Sequence, residues 1–248
     1  SCGRKSVIPS IYLKKNSPKK ITNIHIQDPK VNLANFSYVI APEHDGLTGK
    51  NIFSTKGAIH YLTKNEIDNN SDYLKNRLDN KKEYFTLILG GPTKHYEYSK
   101  ENILKIFDLF NNLVEKNNLQ GIIIPSMRTP KKIIELSSVK LSSNSLVIDN
   151  IDKKAYLSAL SLAKYIAVTC DSTSMISEAA ITGKPVYVAQ MSHKRSIQRF
   201  EKFYKLFKDL GIIRNLEDNI DHWTYKGLDE VNRVAALVKE NMKKNGII

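Results

Sequence analysis

Residues Tyr165-Ile166-Ala167-Val168-Thr169 run directly into Cys170-Asp171-Ser172-Thr173-Ser174-Met175-Ile176-Ser177-Glu178-Ala179-Ala180. The first five carry no charge and read as a buried parallel strand. The small polar residues after them, followed by an Ala/Ile-rich stretch that stops at Gly183, read as a helix over 172–182. A strand that feeds straight into a helix N-terminus leaves unpaired N–H groups and the positive end of the helix dipole beyond a sheet's carboxyl edge, where anions bind. Ser174 and Glu178 stand four apart, on one face and about 6 Å apart along the axis. That offset suits a diphosphate on Asp171, Ser172, Thr173 and Ser174, with a ribose one turn lower held by the Glu178 carboxylate. The plainer reading makes Asp171 an N-cap and Glu178 a solvated side chain. Against it, Glu178 is followed by Ala179, Ala180 and Ile181, and stands too far along to close a capping box with Asp171.

The same alternation extends to both sides. Apolar runs at 21–26, 36–40, 85–89, 121–124, 146–148 and 185–189 read as further buried strands. Helical periodicity fills 101–116, 154–163, 196–210 and 229–244; the first places Ile103, Ile106, Phe107, Phe110, Leu113 and Val114 on one stripe. Strands alternating with helices predict an α/β fold with parallel sheets and right-handed crossovers. From residue 85 the pattern is that of one doubly wound domain. Segment 65–82 is polar and poor in large apolar residues, and reads as a linker or surface helix. The expected domains are therefore 1–83 and 84–248, with the last helix packing back on the first. The first domain resembles half a Rossmann unit, and the opening Ser-Cys-Gly-Arg-Lys-Ser reads as a strand-to-helix turn, so an incomplete N-terminal domain is expected.

Composition limits the function. The 248 residues are 41% hydrophobic, enough for one large core or two modest ones. Two cysteines exclude a disulfide framework, and no spacing suits a metal. No apolar run approaches the roughly 18 residues of a membrane span, and no signal-peptide pattern opens the chain, so a cytoplasmic protein is expected. The net charge is +13. It has two readings: Lys-rich composition without further meaning, or an anionic partner such as a nucleotide or a phospholipid surface. No Gly-x-Gly-x-x-Gly, Walker loop, Asp-x-Asp, helix-turn-helix or zinc finger is present, which disfavours classical dinucleotide, P-loop, metal-dependent transferase and nucleic-acid-binding classes.

Three other strand ends carry candidate chemistry. Gly90-Gly91-Pro92-Thr93-Lys94-His95 follows 85–89. It is either a phosphate loop supplied with Thr93 and Lys94, or a plain turn that needs glycine. Pro125-Ser126-Met127-Arg128-Thr129-Pro130 follows 121–124; Thr129 reads as a helix cap before Pro130, and Arg128 as a phosphate clamp or a solvated side chain. Ala41-Pro42-Glu43-His44-Asp45-Gly46 places His44 between two carboxylates, as a general base or as part of a structural loop. Cys170 reads as a small buried residue rather than a nucleophile.

These residues carry two resemblances. Gly90-Gly91, Ser177-Glu178-Ala179-Ala180 and Thr182-Gly183-Lys184-Pro185 resemble the GT-B glycosyltransferases, notably the bacterial N-acetylglucosaminyltransferase of peptidoglycan synthesis. That likeness implies Glu178 on a nucleotide ribose and Gln190 facing a donor sugar. A closer resemblance, spread over almost the whole chain, is to the plant mitochondrial fission ("elongated mitochondria") family and its bacterial relatives. It rests on Cys2-Gly3-Arg4-Lys5-Ser6, Ile26-Gln27-Asp28-Pro29, Pro42-Glu43-His44-Asp45-Gly46, Gly90-Gly91-Pro92-Thr93-Lys94 and residues 169–188. Together they imply a GT-B-like fold of two Rossmann-like domains facing a cleft. They further imply a nucleotide-diphosphate sugar as donor substrate with no separate cofactor or metal, and glycosyl transfer to an envelope or lipid-linked acceptor. Peripheral contact with an anionic inner membrane goes with that acceptor. The alternative implied by the fission family is a non-catalytic GT-B scaffold that recruits a partner.

Overall fold

The apolar runs form strands that pair in parallel throughout, in two separate sheets. A computed structural model describes residues 1–141 and 145–248. It divides them into two units, Ser1–Tyr61 with Asp229–Ile248, and Leu62–Leu228.

In the first unit, helix α1 (Val7–Asn16) precedes strands β1 (Ile24–Ile26), β2 (Tyr38–Pro42) and β3 (Ile52–Thr55), which lie in chain order. Successive side chains of β2 point to opposite faces. Val39 and Ala41 meet Val7 and Ile11 of α1. Tyr38 and Ile40 instead meet Val234 and Val238 of the C-terminal helix α8 (Glu230–Lys244). Asp229 caps α8 by accepting from the Asn232 N–H at 3.2 Å. Buried Glu230 accepts from the Lys56 N–H just after β3 at 2.6 Å and pairs with Arg233 at 2.6 Å. The chain thus returns to its first sheet for its last helix. Strand β3 carries no apolar run of ordinary strand length, because Ser54 and Thr55 shorten it to two residues.

His25 on β1 is fully buried, 5.0 Å from the Phe36 ring, with Nδ1 2.9 Å from the Ser1 hydroxyl. Burial lowers its pKa below the ordinary 6.5 because the charged ring is poorly solvated there. The folded state therefore disfavours protonation. The stability this residue contributes is complete above about pH 6.5 and is lost as pH falls through the lowered folded value. Melting curves from pH 8 to pH 5 should show wild type losing more stability on acidification than His25→Gln; parallel curves for the two proteins would refute this.

Among the described residues of the second unit, six parallel strands lie in the order β6-β5-β4-β7-β8-β9. They are β4 (Tyr84–Leu89), β5 (Gln120–Pro125), β6 (Ser145–Val147), β7 (Ala163–Thr169), β8 (Val186–Ala189) and β9 (Ile213–Asn215). Crossovers run through α3 (Lys100–Lys116), α4 (Lys131–Lys140), α5 (Lys153–Leu162), α6 (Thr173–Ala180) and α7 (Gln198–Asp209). Strands β4 and β7 are buried almost end to end, as expected with helices on both faces. The core centres on Phe85, whose ring lies 4.8 Å from Phe110, 6.0 Å from Tyr165 and 6.2 Å from Tyr187. Strand β9 has one apolar residue and escapes a search for apolar runs.

The boundary expected near residue 84 falls inside this second unit. Segment 62–83 forms the short helix α2 (Lys64–Asp68) and two 3-10 turns. It is anchored by buried Ile67 and Leu74, by the Leu74 N–H donating to Ser158 Oγ at 3.1 Å, and by Tyr73 donating to Asp152 at 2.7 Å. With so few large apolar anchors, its composition resembles that of a linker although it packs as part of the domain.

The strand order reverses between β4 and β7, the place beyond the carboxyl ends of the strands where ligands bind in open parallel sheets. That reversal brings together the residues after 89 and after 169. No helix among the described residues is long and apolar enough to cross a membrane.

Candidate functional site

At this reversal of strand order the side chain of Asp171 is fully buried. Its Oδ2 accepts from the Gly91 N–H at 3.0 Å and from Arg128 Nη2 at 2.8 Å. Its Oδ1 accepts from the Thr169 hydroxyl at 2.7 Å and from the Tyr98 hydroxyl at 3.1 Å. Thr169 Oγ1 in turn accepts from the Gly90 N–H at 2.8 Å. Burial, together with the charge of Asp171, raises the Tyr98 pKa well above its ordinary value, so this phenol stays a neutral donor.

This geometry corrects two expectations. Asp171 does not cap α6, and its carboxylate is held by donors of the protein itself; the cap is Ser172, whose Oγ accepts from the Met175 N–H at 3.4 Å. Nor is the space above Gly90-Gly91 held open for a ligand. A Cβ on Gly90 would lie 2.2 Å from Asp171 Oδ2, and one on Gly91 would lie 2.0 Å from the Arg128 carbonyl oxygen. The glycines let the chain's own carboxylate and backbone approach. Thr129 also differs from its expected role as a cap. Its Oγ1 accepts from the Ser126 N–H at 2.8 Å and donates toward the carbonyls of Leu89 at 2.9 Å and Gly90 at 2.6 Å. It stitches the β5 loop to the β4 loop, and Pro130 itself precedes α4.

The residues that reach the surface are fewer. Arg128 is held at both ends of its fork, Nη2 to Asp171 and Nη1 to the Gly91 carbonyl at 3.0 Å, yet 43% of its side chain remains exposed. A guanidinium has five N–H donors, so this fixed fork keeps others for an anion. On α6, Ser172 is buried and Thr173 half-buried, and Ser174 is exposed. Thr93 Oγ1 accepts from the N–H groups of His95 at 3.1 Å and Tyr96 at 3.0 Å, closing its own turn, while Lys94 is exposed beside it. Glu178, one turn down α6, is half-buried and accepts from the Tyr156 hydroxyl at 2.6 Å. Gln190, at the end of β8, is exposed and donates to Asn215 at 3.4 Å.

Neither Tyr98 nor Tyr156 stands near a motif in the sequence; only the strand order and the packing of α5 bring them to Asp171 and Glu178. Cys170 is buried, and burial pushes its thiol up to about 12, which makes it a poor nucleophile. In the first unit, His44 lies in a 3-10 turn (Glu43–Asp45) with its side chain 2% exposed and Nε2 3.8 Å from Asp45 Oδ1. Among the described residues no group of three or more His, Cys, Asp or Glu is arranged to hold a metal.

A family model described as Mitochondrial fission ELM1 matches residues 1–242. Protein RP120 of Rickettsia prowazekii (strain Madrid E) is 25% identical over 283 residues, covering 99% of this chain and 79% of that protein. The mitochondrial fission protein ELM1 of Arabidopsis thaliana is 22% identical over 275 residues, covering 99% of this chain and 64% of that protein. The chain thus spans less than two thirds of the plant relative's length. Among solved structures, the S. aureus MnaA–UDP co-structure superposes with a TM-score of 0.52 at 13% identity, covering 100% of this chain and 74% of that one. The UDP-GlcNAc 2-epimerase from Neisseria meningitidis bound to UDP-GlcNAc gives 0.52 at 16% identity, covering 94% and 72%. At these identities the likeness is one of fold, and the fold is GT-B-like.

Proposed function

Because the chain belongs to the mitochondrial fission ELM1 family and has a GT-B-like fold, we propose that its 62–228 unit binds a nucleotide-diphosphate sugar at the carboxyl edge of the sheet. The observation that carries this is the Arg128 guanidinium, fixed against buried Asp171 yet 43% exposed at the reversal of strand order. A buried carboxylate there does not bind an anion, but it pre-orients the cation that does. The diphosphate lies on Arg128, with Lys94 and the α6 terminus at Thr173 and Ser174 adding donors. Glu178, steadied by Tyr156, accepts from the ribose hydroxyls, and Gln190 reaches toward the sugar. The uridine nucleotides named with two structural neighbours make UDP the first probe.

The reaction that fits such a complex is glycosyl transfer. The bond from the sugar's anomeric carbon to the diphosphate oxygen breaks, and a bond to an acceptor hydroxyl oxygen forms. The diphosphate leaves with the bonding pair, its charge stabilised by Arg128 and backbone dipoles. The acceptor proton passes to a base, for which His44 is the candidate, or to the departing phosphate. A second reading, a scaffold that binds without transferring, is favoured by a specific observation: both glycine N–H groups and Asp171 are engaged internally.

One ligand screen tests the shared premise. Melting points should be taken with UDP, GDP, ADP, CMP and their sugars, on wild type, Arg128→Ala and Glu178→Ala. At about 100 times Kd a single ligand adds roughly 2.7 kcal/mol of stability. The expected result is a rise with one nucleotide family, weakened roughly 10- to 100-fold in affinity by Glu178→Ala through loss of a charged hydrogen bond. No rise with any of them in folded wild type sinks the nucleotide reading. Release of free nucleotide diphosphate from the bound sugar then separates transfer from the scaffold.

A further inference from the structure

The partner of Glu178 limits which nucleotides its carboxylate can hold. Tyr156 stands one turn into α5, where Asp152 caps the helix by accepting from the Lys154 and Ala155 N–H groups at 2.8 and 3.1 Å. Its ring packs against two apolar clusters of the second unit, which hold the side chain in place. Glu178 is fixed from the other side, since Ile176, Ala179 and Ala180 of its own helix are fully buried. The Tyr156 hydroxyl donates to Glu178 Oε2 at 2.6 Å, the length of a hydrogen bond from a hydroxyl to an ionised carboxylate. An ionised carboxylate only accepts, with about four lone-pair sites, and the phenol takes one of them. Whatever else meets Glu178 must therefore donate.

We infer that Tyr156 and Glu178 together select a ribonucleotide donor, with both its 2′ and its 3′ hydroxyl, and reject 2′-deoxynucleotide donors such as the deoxythymidine-diphosphate sugars. The inference rests on the nucleotide reading above and names the class of nucleotide within it. Two neighbouring ribose hydroxyls bring two donors to one oriented carboxylate. A 2′-deoxyribose turns a C–H toward the same group, which then loses a charged hydrogen bond in a half-buried place. Tyr156 acts through Glu178 and is a positioning residue. Without its hydroxyl the carboxylate turns among rotamers and meets either sugar about equally well.

The test is titration calorimetry with UDP, GDP, ADP and CDP, each beside its 2′-deoxy form, so that a pair shares its base and differs in one hydroxyl. Wild type should bind the ribo form of its preferred base roughly 10- to 100-fold more tightly than the deoxy form. Tyr156→Phe keeps the ring and its packing. It should bring that ratio to about threefold or less, mainly by weakening the ribo form. Glu178→Gln keeps the size of the side chain and should lower the ratio likewise. Tyr73→Phe is the control. The Tyr73 hydroxyl donates to Asp152 at the start of the same helix at 2.7 Å, so this variant loosens α5 without touching Glu178 and should keep the wild-type ratio. Equal binding of ribo and deoxy forms by wild type would overturn the inference and leave the nucleotide reading standing. So would a wild-type ratio in Tyr156→Phe, or an equal fall in Tyr73→Phe, which would make the effect one of helix stability. Binding of no nucleotide by folded wild type would sink both, and the melting-point screen detects that case by itself.

Discussion

Asp171→Ala should lower the stability of the 62–228 unit by about 3 kcal/mol, a fall of roughly 6–12 °C in melting point for a domain of this size. The carboxylate is buried at the reversal of strand order and accepts from Gly91, Arg128, Thr169 and Tyr98. Removing it leaves the buried Gly91 N–H and one of the paired Thr169 and Tyr98 hydroxyls short of an acceptor, at roughly 1–3 kcal/mol for each unsatisfied group. The ion pair itself adds little to that figure, because Arg128 is 43% exposed and regains water when released. The loss of nucleotide response should be larger than the loss of stability. Freed from Asp171, the guanidinium is no longer held in one orientation, so ligand-induced stabilisation should vanish even well below the new melting point. Asp171→Asn keeps the size and part of the acceptor capacity. It should retain more stability than Asp171→Ala while still weakening the nucleotide shift. If Asp171→Asn bound nucleotide as wild type does, the orientation of Arg128 would not depend on charge and the site as described would be wrong.

Gly91→Ala should be about as damaging, for a purely steric reason. The added Cβ would fall 2.0 Å from the carbonyl oxygen of Arg128 and 2.4 Å from its carbonyl carbon. Both are backbone atoms, and their loop is tied down by Thr129 to the carbonyls of Leu89 and Gly90. The loop must move as a body, at about 3 kcal/mol, the upper part of the usual overpacking range. Moving it also takes Arg128 from Asp171, so stability and nucleotide response should fall together. Gly90→Ala meets a side-chain carboxylate at 2.2 Å instead, and rotation of Asp171 relieves some of that clash, so its effect should be smaller. Urea titrations of the two variants measure the order. A Gly91→Ala protein as stable as wild type would mean that the loops lie further apart than described.

Both expectations depend on contacts invisible in the segments that suggested a site. The motif at 170–178 correctly points to a strand end followed by a helix, and α6 begins there. Glu178 stands one turn below the exposed Ser174, as the four-residue spacing requires. The apolar runs locate seven of the nine strands among the described residues, and the other two, β3 and β9, have too few apolar residues to stand out. What local pattern could not say is which small polar residues would be consumed inside the protein. Asp171, Ser172, Thr93 and Thr129 all read as ligand or cap candidates. Three of them now close turns, cap α6 or join loops, and Asp171 anchors an arginine.

The division has a physical basis. Strand, helix and buried face are set by periodicities of two and 3.6, which act between near neighbours, and the sequence alone therefore determined the α/β class, the parallel strands and the polar helix tip. The character of the site depends on pairs distant along the chain. Asp171 is separated by 80 positions from Gly91 and by 43 from Arg128, and only the strand order brings them within hydrogen-bonding distance. Likewise, burial of His44 and the packing of segment 62–83 follow from what folds over them. Tertiary structure thus decided that the glycine pair serves the protein's own carboxylate, and that Arg128 is the cation left facing out.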